Sequence, residues 1–187
     1  MKDIKGYKAF NKNQTNRYGV PFIEGNTYKV DGEISFGNNG NGFHMCTHLS
    51  DVFRYFDAID DNISVAKVIG RGDRKEYNDE YEGYYDMYAC RELYIERFLS
   101  REEIISCMLV SVESDVVKFL KTFRLTGDEK VRFLRKFKGN QRVLEYILYY
   151  QYGIEDAFCK CVSDEEVKRI RLVNKYGQDS DKRCSRK

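Results

Sequence analysis

Apolar positions recur at roughly every second residue along the first part of the chain and at a period near 3.6 from Ser114 onward. That change predicts strands first and helices after them. Residues 6–10 (GYKAF) read as a first strand and residues 11–16 as a polar turn. Residues 26–30 and 33–36 flank Asp31-Gly32, a dipeptide that tolerates positive φ and predicts a two-residue hairpin. The GNNGNG stretch at 37–42 has too little side chain to pack and predicts a mobile loop leading into a strand over 43–46. Thr47 is placed to cap a short helix whose Leu49, Val52, Phe53 and Phe56 share one face. Residues 64–70 and 87–95 predict further strands, and the acidic, tyrosine-rich 76–86 an exposed loop. Ser100-x-x-Glu103 is a capping box opening a helix through Ile104 and Ile105.

In the helical part, Val116, Val117, Leu120 and Phe123 make a first apolar face. Thr126-x-x-Glu129 caps a second helix with Val131, Leu134 and Phe137. Leu144, Ile147, Leu148 and Tyr150 are the residues to bury in a third, bounded by Gly139 and Gly153. Ser163-x-x-Glu166 opens a fourth, with Val167, Ile170 and Val173, ending at Gly177. The pattern predicts an α+β protein: a small antiparallel-rich sheet with short helices over 1–113, a basic bundle of four to five short helices over 114–177, and a disordered basic tail over 178–187.

Charge adds a contrast that the net value of +2 hides. Residues 1–115 hold 14 Lys+Arg against 20 Asp+Glu, a net of −6, and the remaining 18 against 10 give +8. Segregation of this size suits either a polyanion, nucleic acid being the commonest, or mutual attraction of the halves or a protein partner. No run of eighteen apolar residues and no secretory signal stands in the sequence, so the expectation is a cytoplasmic protein with no membrane partner. The six cysteines at uneven spacing suit reduced thiols, most of them small core residues. Cys159 and Cys161 diverge on a helix and read as packing residues.

The two histidines fall within GFHMCTH, behind the glycine-rich loop. On a strand, His44 and Cys46 face the same way, opposite Phe43 and Met45, with His48 displaced to the helix start. His44 is open to two readings, a proton-transfer group or a satisfied structural histidine. Nothing supplies the further ligands of a Cys/His metal site, and no cofactor is expected. Either Tyr7 or Lys8 of the first strand faces inward, as does either Arg91 or Glu92, and an inward charge demands a partner. Nine cations, Lys118, Lys121, Arg124, Lys130, Arg132, Arg135, Lys136, Lys138 and Arg142, are interleaved with Phe119, Phe123, Phe133 and Phe137. They form a phosphate-tracking face with stacking aromatics, or solvated cations around core phenylalanines.

The order GYKAF, EGNTY, GFHMC, DVFRYF and REL resembles, over residues 4–106, an uncharacterised domain found in phage and mobile-element proteins. The resemblance implies that Tyr7, Gly42, Phe43, His44, Cys46 and Glu92 occupy recurring positions. The chain departs from it in the spacer before GFHMC, where the family carries a Cys-Glu pair. Accessory proteins of that origin often block host defences, which leads to the expectation of an anti-CRISPR-like counter-defence protein. It would engage an RNA or ribonucleoprotein, with a CRISPR effector and its guide RNA as one such target. In a metal-independent ribonuclease, His44 would be the acid/base and Lys8, Arg17 or Arg91 would stabilise phosphate charge, with Tyr7 and Glu92 also at the site. The same motifs also resemble a reduced ADP-ribosyltransferase core, in which His44 or Tyr7 would contact NAD and Glu92 would polarise the ribose. A third reading is a binding module without catalysis, acting as an inhibitor.

Overall fold

The computed structural model describes residues 2–36, 40–53, 63–77, 87–151 and Glu165. The chain divides into two compact units, Met1–Ser111 and Val112–Lys187. The class is α+β, with an antiparallel sheet in the first unit and helices mainly in the second.

In the first unit the strands are β1 (Ile4–Asn11), β2 (Thr27–Lys29), β3 (Phe43–Cys46), β4 (Ile63–Tyr77) and β5 (Met87–Leu99), with helix α1 (Leu49–Val52) after β3 and α2 (Arg101–Leu109) after β5. The sheet order is β2-β5-β3-β1-β4, and β4 also pairs with β5. The pairings β1–β3, β3–β5, β5–β4 and β4–β1 therefore form a closed ring, in which each of these four strands has a neighbour on both sides. Irregularities between Lys67 and Val68 and between Arg71 and Arg74 let β4 bend enough for this closure. The ring is uneven: β1 pairs β4 along eight residues but meets β3 at Tyr7↔Cys46 alone. Gly6 permits that approach, since a Cβ there would collide with the Cys46 carbonyl oxygen. Phe10, Phe22, Met45, Ala66, Val68, Cys90, Leu93 and Ile95 form a buried cluster. Each large side chain in it contributes roughly 1.5–3 kcal/mol by leaving water.

The second unit contains α3 (Glu113–Thr122), α4 (Gly127–Lys136) and α5 (Gln141–Tyr150). Of the three expected capping boxes, the two within the described residues form, at Ser100 on α2 and at Thr126 on α4. Val116, Val117, Phe119, Leu120, Phe133, Leu134, Val143, Leu144 and Ile147 are buried. Gln151, 2% exposed, accepts from the Leu125 amide and donates to the Leu120 and Phe123 carbonyls, tying the α3–α4 turn to the end of α5.

Several local expectations are corrected. The hairpin at Asp31-Gly32 does not form, although Gly32 has φ 89°. β2 instead pairs with β5 through Thr27↔Tyr94 and Lys29↔Glu92. Residues 33–36 are not a strand, and Asn41 holds the turn by donating to the Asp31 and Glu33 carbonyls while exchanging bonds with Ser35. The segment 33–36 is thus tied to Asn41 and forms no ladder with a neighbouring strand. The N-cap of α1 is His48, not Thr47. Strand β4 runs on through Glu76 and Tyr77, which were expected in a loop, because β5 continues to pair with it there. On α4, Phe133 and Leu134 are buried while Val131 and Phe137 are half-buried, and Tyr150 of α5 is exposed. The centre of GNNGNG at 37–39, Phe56, the rest of the acidic stretch at 78–86, Cys159, Cys161, the Ser163 box, Gly177 and the basic tail lie outside the described residues.

Candidate functional site

Because β1 and β3 share one register pair, they separate beyond Tyr7↔Cys46, where a continued ladder would bring Ala9 opposite His44. A cleft of about 630 Å³ opens there, between residues 7–10 of β1 and 43–46 of β3. Its outer parts come from Asn16, Arg17 and Tyr18 of the loop after β1, from Phe36 and from Tyr77 at the end of β4. The volume falls within the usual range for sites that enclose a small molecule or one or two residues of a polymer.

The gap in the ladder is spanned by a side chain. Lys8 Nζ donates to the His44 carbonyl oxygen at 2.7 Å and lies 5.6 Å from the centre of the Phe10 ring. Burial of this ammonium lowers its pKa from 10.5 to about 8, with the Cys46 thiol opposing the shift. Lys8 therefore stays largely charged at neutral pH.

His44 lies beside it, paired on β3 with Ala89 of β5. Its ring stacks on Phe36, centroids 5.3 Å apart and planes 16° apart, and Tyr77 meets the far side of Phe36 edge-on. Burial lowers the His44 pKa, the Lys8 and Arg17 charges lower it further, and a hydrogen bond to the Ser35 backbone acts in the opposite sense. Nε2 is buried with no hydrogen-bond partner, so the bond to Ser35 is made by Nδ1. A ring whose Nδ1–H donates to a carbonyl carries its lone pair on Nε2. The result is a neutral imidazole with an unused acceptor, next to a fixed ammonium.

Arg17 brings a second cation, its guanidinium 4.8 Å from the Tyr18 ring. The Asn16 side-chain oxygen accepts from the Tyr18 and Val20 amides and fixes the loop that carries both residues. Among the described residues lining the cleft there is no Asp or Glu, although the half of the chain that builds it has a net charge of −6. Such a surface selects an anionic ligand with apolar or aromatic parts.

Of the residues singled out in the sequence, Lys8, Arg17, His44 and Cys46 line this cleft together. Tyr7 borders it too, but the groups acting on its phenol are Cys107, Arg97 and Glu96, none of which lines the cleft; burial and two of these groups raise its pKa. This is the alternation of a strand, which sends Lys8 to one face and Tyr7 to the other. Arg91 and Glu92 stand outside. Arg91 is paired with Asp73 at 2.8 Å and donates to the Val30 carbonyl, and Glu92 is paired with Lys29 at 3.2 Å. His48 is not among the lining residues either. Among the described residues no group of three or more His, Cys, Asp or Glu is arranged to hold a metal ion.

Sequence reasoning missed Asn16, Tyr18, Phe36, Asn41 and Tyr77. The signal for Asn16 and Tyr18 was an Asn-Arg-Tyr run in a turn otherwise made of small polar residues. For Phe36 and Tyr77 there was none: Phe36 stacks on His44 across a loop whose path the sequence does not fix, and Tyr77 meets Phe36 from far along the chain. In the second unit, Lys121, Arg124, Arg135, Lys136, Lys138 and Arg142 are exposed and Lys118, Lys130 and Arg132 half-buried. The interleaved Phe119, Phe123 and Phe133 are core residues stacked on one another, so they do not form an aromatic surface among the cations. Among the described residues no helix is long and apolar enough to cross a membrane.

Residues 4–106 match a family described as Domain of unknown function (DUF7666). No curated protein and no solved structure matches the chain.

Proposed function

We propose that this chain, a member of the DUF7666 family, binds RNA in the cleft between β1 and β3 and cleaves it without a metal, His44 being the base. The observation that carries the reading is the buried, partnerless Nε2 of a neutral imidazole, placed beside Lys8 and Arg17 in a cleft with no described carboxylate. In the step, a ribose 2′-oxygen attacks the adjacent phosphorus and its proton passes to Nε2. The bond from phosphorus to the 5′-oxygen breaks, and that oxygen takes a proton from water, leaving a 2′,3′-cyclic phosphate and a 5′-hydroxyl. Lys8 and Arg17 offset the charge that grows on the phosphoryl oxygens, and Phe36, Tyr77 and Tyr18 offer faces for the bases.

The NAD-using alternative lacks comparable support, since Glu92, which would polarise the ribose, is held by Lys29 away from the cleft. A counter-defence role, with the RNA or ribonucleoprotein of a CRISPR effector as target, rests on the resemblance to phage and mobile-element proteins. It supplies a setting in which such a cleft would be useful.

The test is single-turnover cleavage of a short RNA by the wild type and by His44→Ala and Arg17→Ala. Loss of the base costs roughly 10²–10⁴ in rate. The expected result is that His44→Ala binds but does not cut, and that Arg17→Ala binds more weakly. RNA left intact by the wild type refutes the ribonuclease reading and leaves the non-catalytic binding module in its place.

A further inference from the structure

A second feature, in the other unit, is independent of the cleft. Helix α5 carries Arg142, Tyr146, Tyr149 and Tyr150 at spacings of three, four and eight residues, so they share one face. That face is only partly used for packing: the buried residues of α5 are Val143, Leu144 and Ile147, while Tyr146 is half-buried and Arg142 is paired with Glu113 of α3 at 3.2 Å. Tyr149 is 61% exposed and Tyr150 37%. The rings are ordered against one another all the same. Tyr146 and Tyr150 are parallel to within 14° at 5.4 Å, and Tyr149 meets Tyr150 edge-on at 4.8 Å. Lys121 of α3 places its ammonium 5.3 Å from the Tyr146 ring. Burial, together with the two neighbouring phenols, raises the Tyr150 pKa, so its hydroxyl stays protonated at neutral pH.

We infer that this face of α5, with Lys121, is a stacking platform for single-stranded nucleic acid. Three features select that occupant over an apolar protein surface. Exposed rings held at stacking distance by one another accept a base with little further loss of side-chain freedom. A cation stands over the Tyr146 ring, within reach of a backbone phosphate running past the platform, in a half of the chain with net charge +8. Of the four phenylalanines expected to serve as this surface, Phe119, Phe123 and Phe133 are buried and Phe137 half-buried, which leaves Tyr149 and Tyr150 as the exposed aromatic groups among the described residues of the helical unit. A base stacked on the exposed Tyr149 ring would rest on a surface that Tyr150 braces edge-on. A duplex, whose bases are already stacked, would offer the platform only its phosphates.

The experiment is fluorescence anisotropy of a labelled short oligouridine with the full chain across a salt series, using an oligodeoxythymidine and an RNA duplex as comparison ligands. Tyr149→Ala is expected to weaken binding of both single strands roughly tenfold, as stacking on one ring predicts. Tyr149→Phe keeps the ring and is expected to bind like the wild type. Lys121→Ala is expected to lower the salt slope by about 0.7, one phosphate's worth for a single strand. Tyr149 is exposed, so the fold does not depend on it, and Tyr149→Ala should still cut a dinucleotide as the wild type does. Equal affinity of Tyr149→Ala and wild type, or binding of the duplex as tight as of the single strands, overturns the inference. The cleft reading stands or falls separately, on cleavage by His44→Ala.

Discussion

At the scale of single residues, the cleft depends on two side chains whose protonation the fold has altered. Both shifts run downward, so both groups favour the unfolded state wherever that state binds the extra proton. For His44 the unfolded value is 6.5 and the folded value lies below it. Its contribution to stability is fully present above pH 6.5 and is lost as pH falls through the folded value. Urea melts between pH 7 and 5 should show a steeper loss for the wild type than for His44→Gln. The same shift sets the rate: an imidazole base acts when neutral, so the half-maximal rate of cleavage should fall on the acid side of pH 6.5. A half-maximal rate above pH 7 contradicts this. For Lys8 the window is pH 8 to 10.5. Wild-type stability relative to Lys8→Met should rise across it by about 3 kcal/mol, because the ammonium that resists burial is lost first from the folded state. Referring each melt to the variant removes the shared effect of tyrosine ionisation.

At the scale of elements, the site exists because β1 and β3 touch at one place and part beyond it. Gly6 sets the point of contact, and Gly6→Ala forces a methyl group against the Cys46 carbonyl. The expected cost is roughly 1–3 kcal/mol, as for other overpacked sites, together with loss of activity as the strands shift. In the helical unit, Gln151→Ala should cost roughly 2–4 kcal/mol, because the amide of Leu125 and the carbonyls of Leu120 and Phe123 lose their partner in a buried place. Denaturant midpoints check both. The capping boxes at Ser100 and Thr126 were legible in the sequence, because each is a local exchange of two hydrogen bonds over four residues. The strand at 43–46 was legible too. The hairpin at Asp31-Gly32 was misread because a turn signal says that the chain reverses and does not say which strand takes the hydrogen bonds. β5 took those of β2, and Asn41 took those of the turn. For the same reason Arg91 and Glu92 were grouped with His44: alternation gives a residue's face, but only the pairing of β5 shows that this part of the strand faces β2 and Asp73.

At the scale of the whole molecule, two units of opposite net charge carry two separate features, the cleft in Met1–Ser111 and the tyrosine face in Val112–Lys187. The class and the charge asymmetry were readable from period and composition, which sum over many residues. The cleft was only half readable: Lys8, Arg17 and His44 stood out by residue type, while nothing in the sequence marked Phe36, and Tyr77 meets it from 41 residues away. If the features are separable, a chain ending at Ser111 should still cut a short RNA but hold a longer single strand far less tightly than the intact protein, as filter retention across a salt series would show. The central claim is that the neutral Nε2 of His44 takes a proton from RNA. Its most direct test is to incubate end-labelled RNA with wild type and His44→Ala in the presence of a metal chelator and resolve the products on a denaturing gel. The account predicts shortened RNA ending in a 2′,3′-cyclic phosphate with the wild type, and RNA bound but intact with His44→Ala. Equal cutting by both proteins, or none by either, would contradict it.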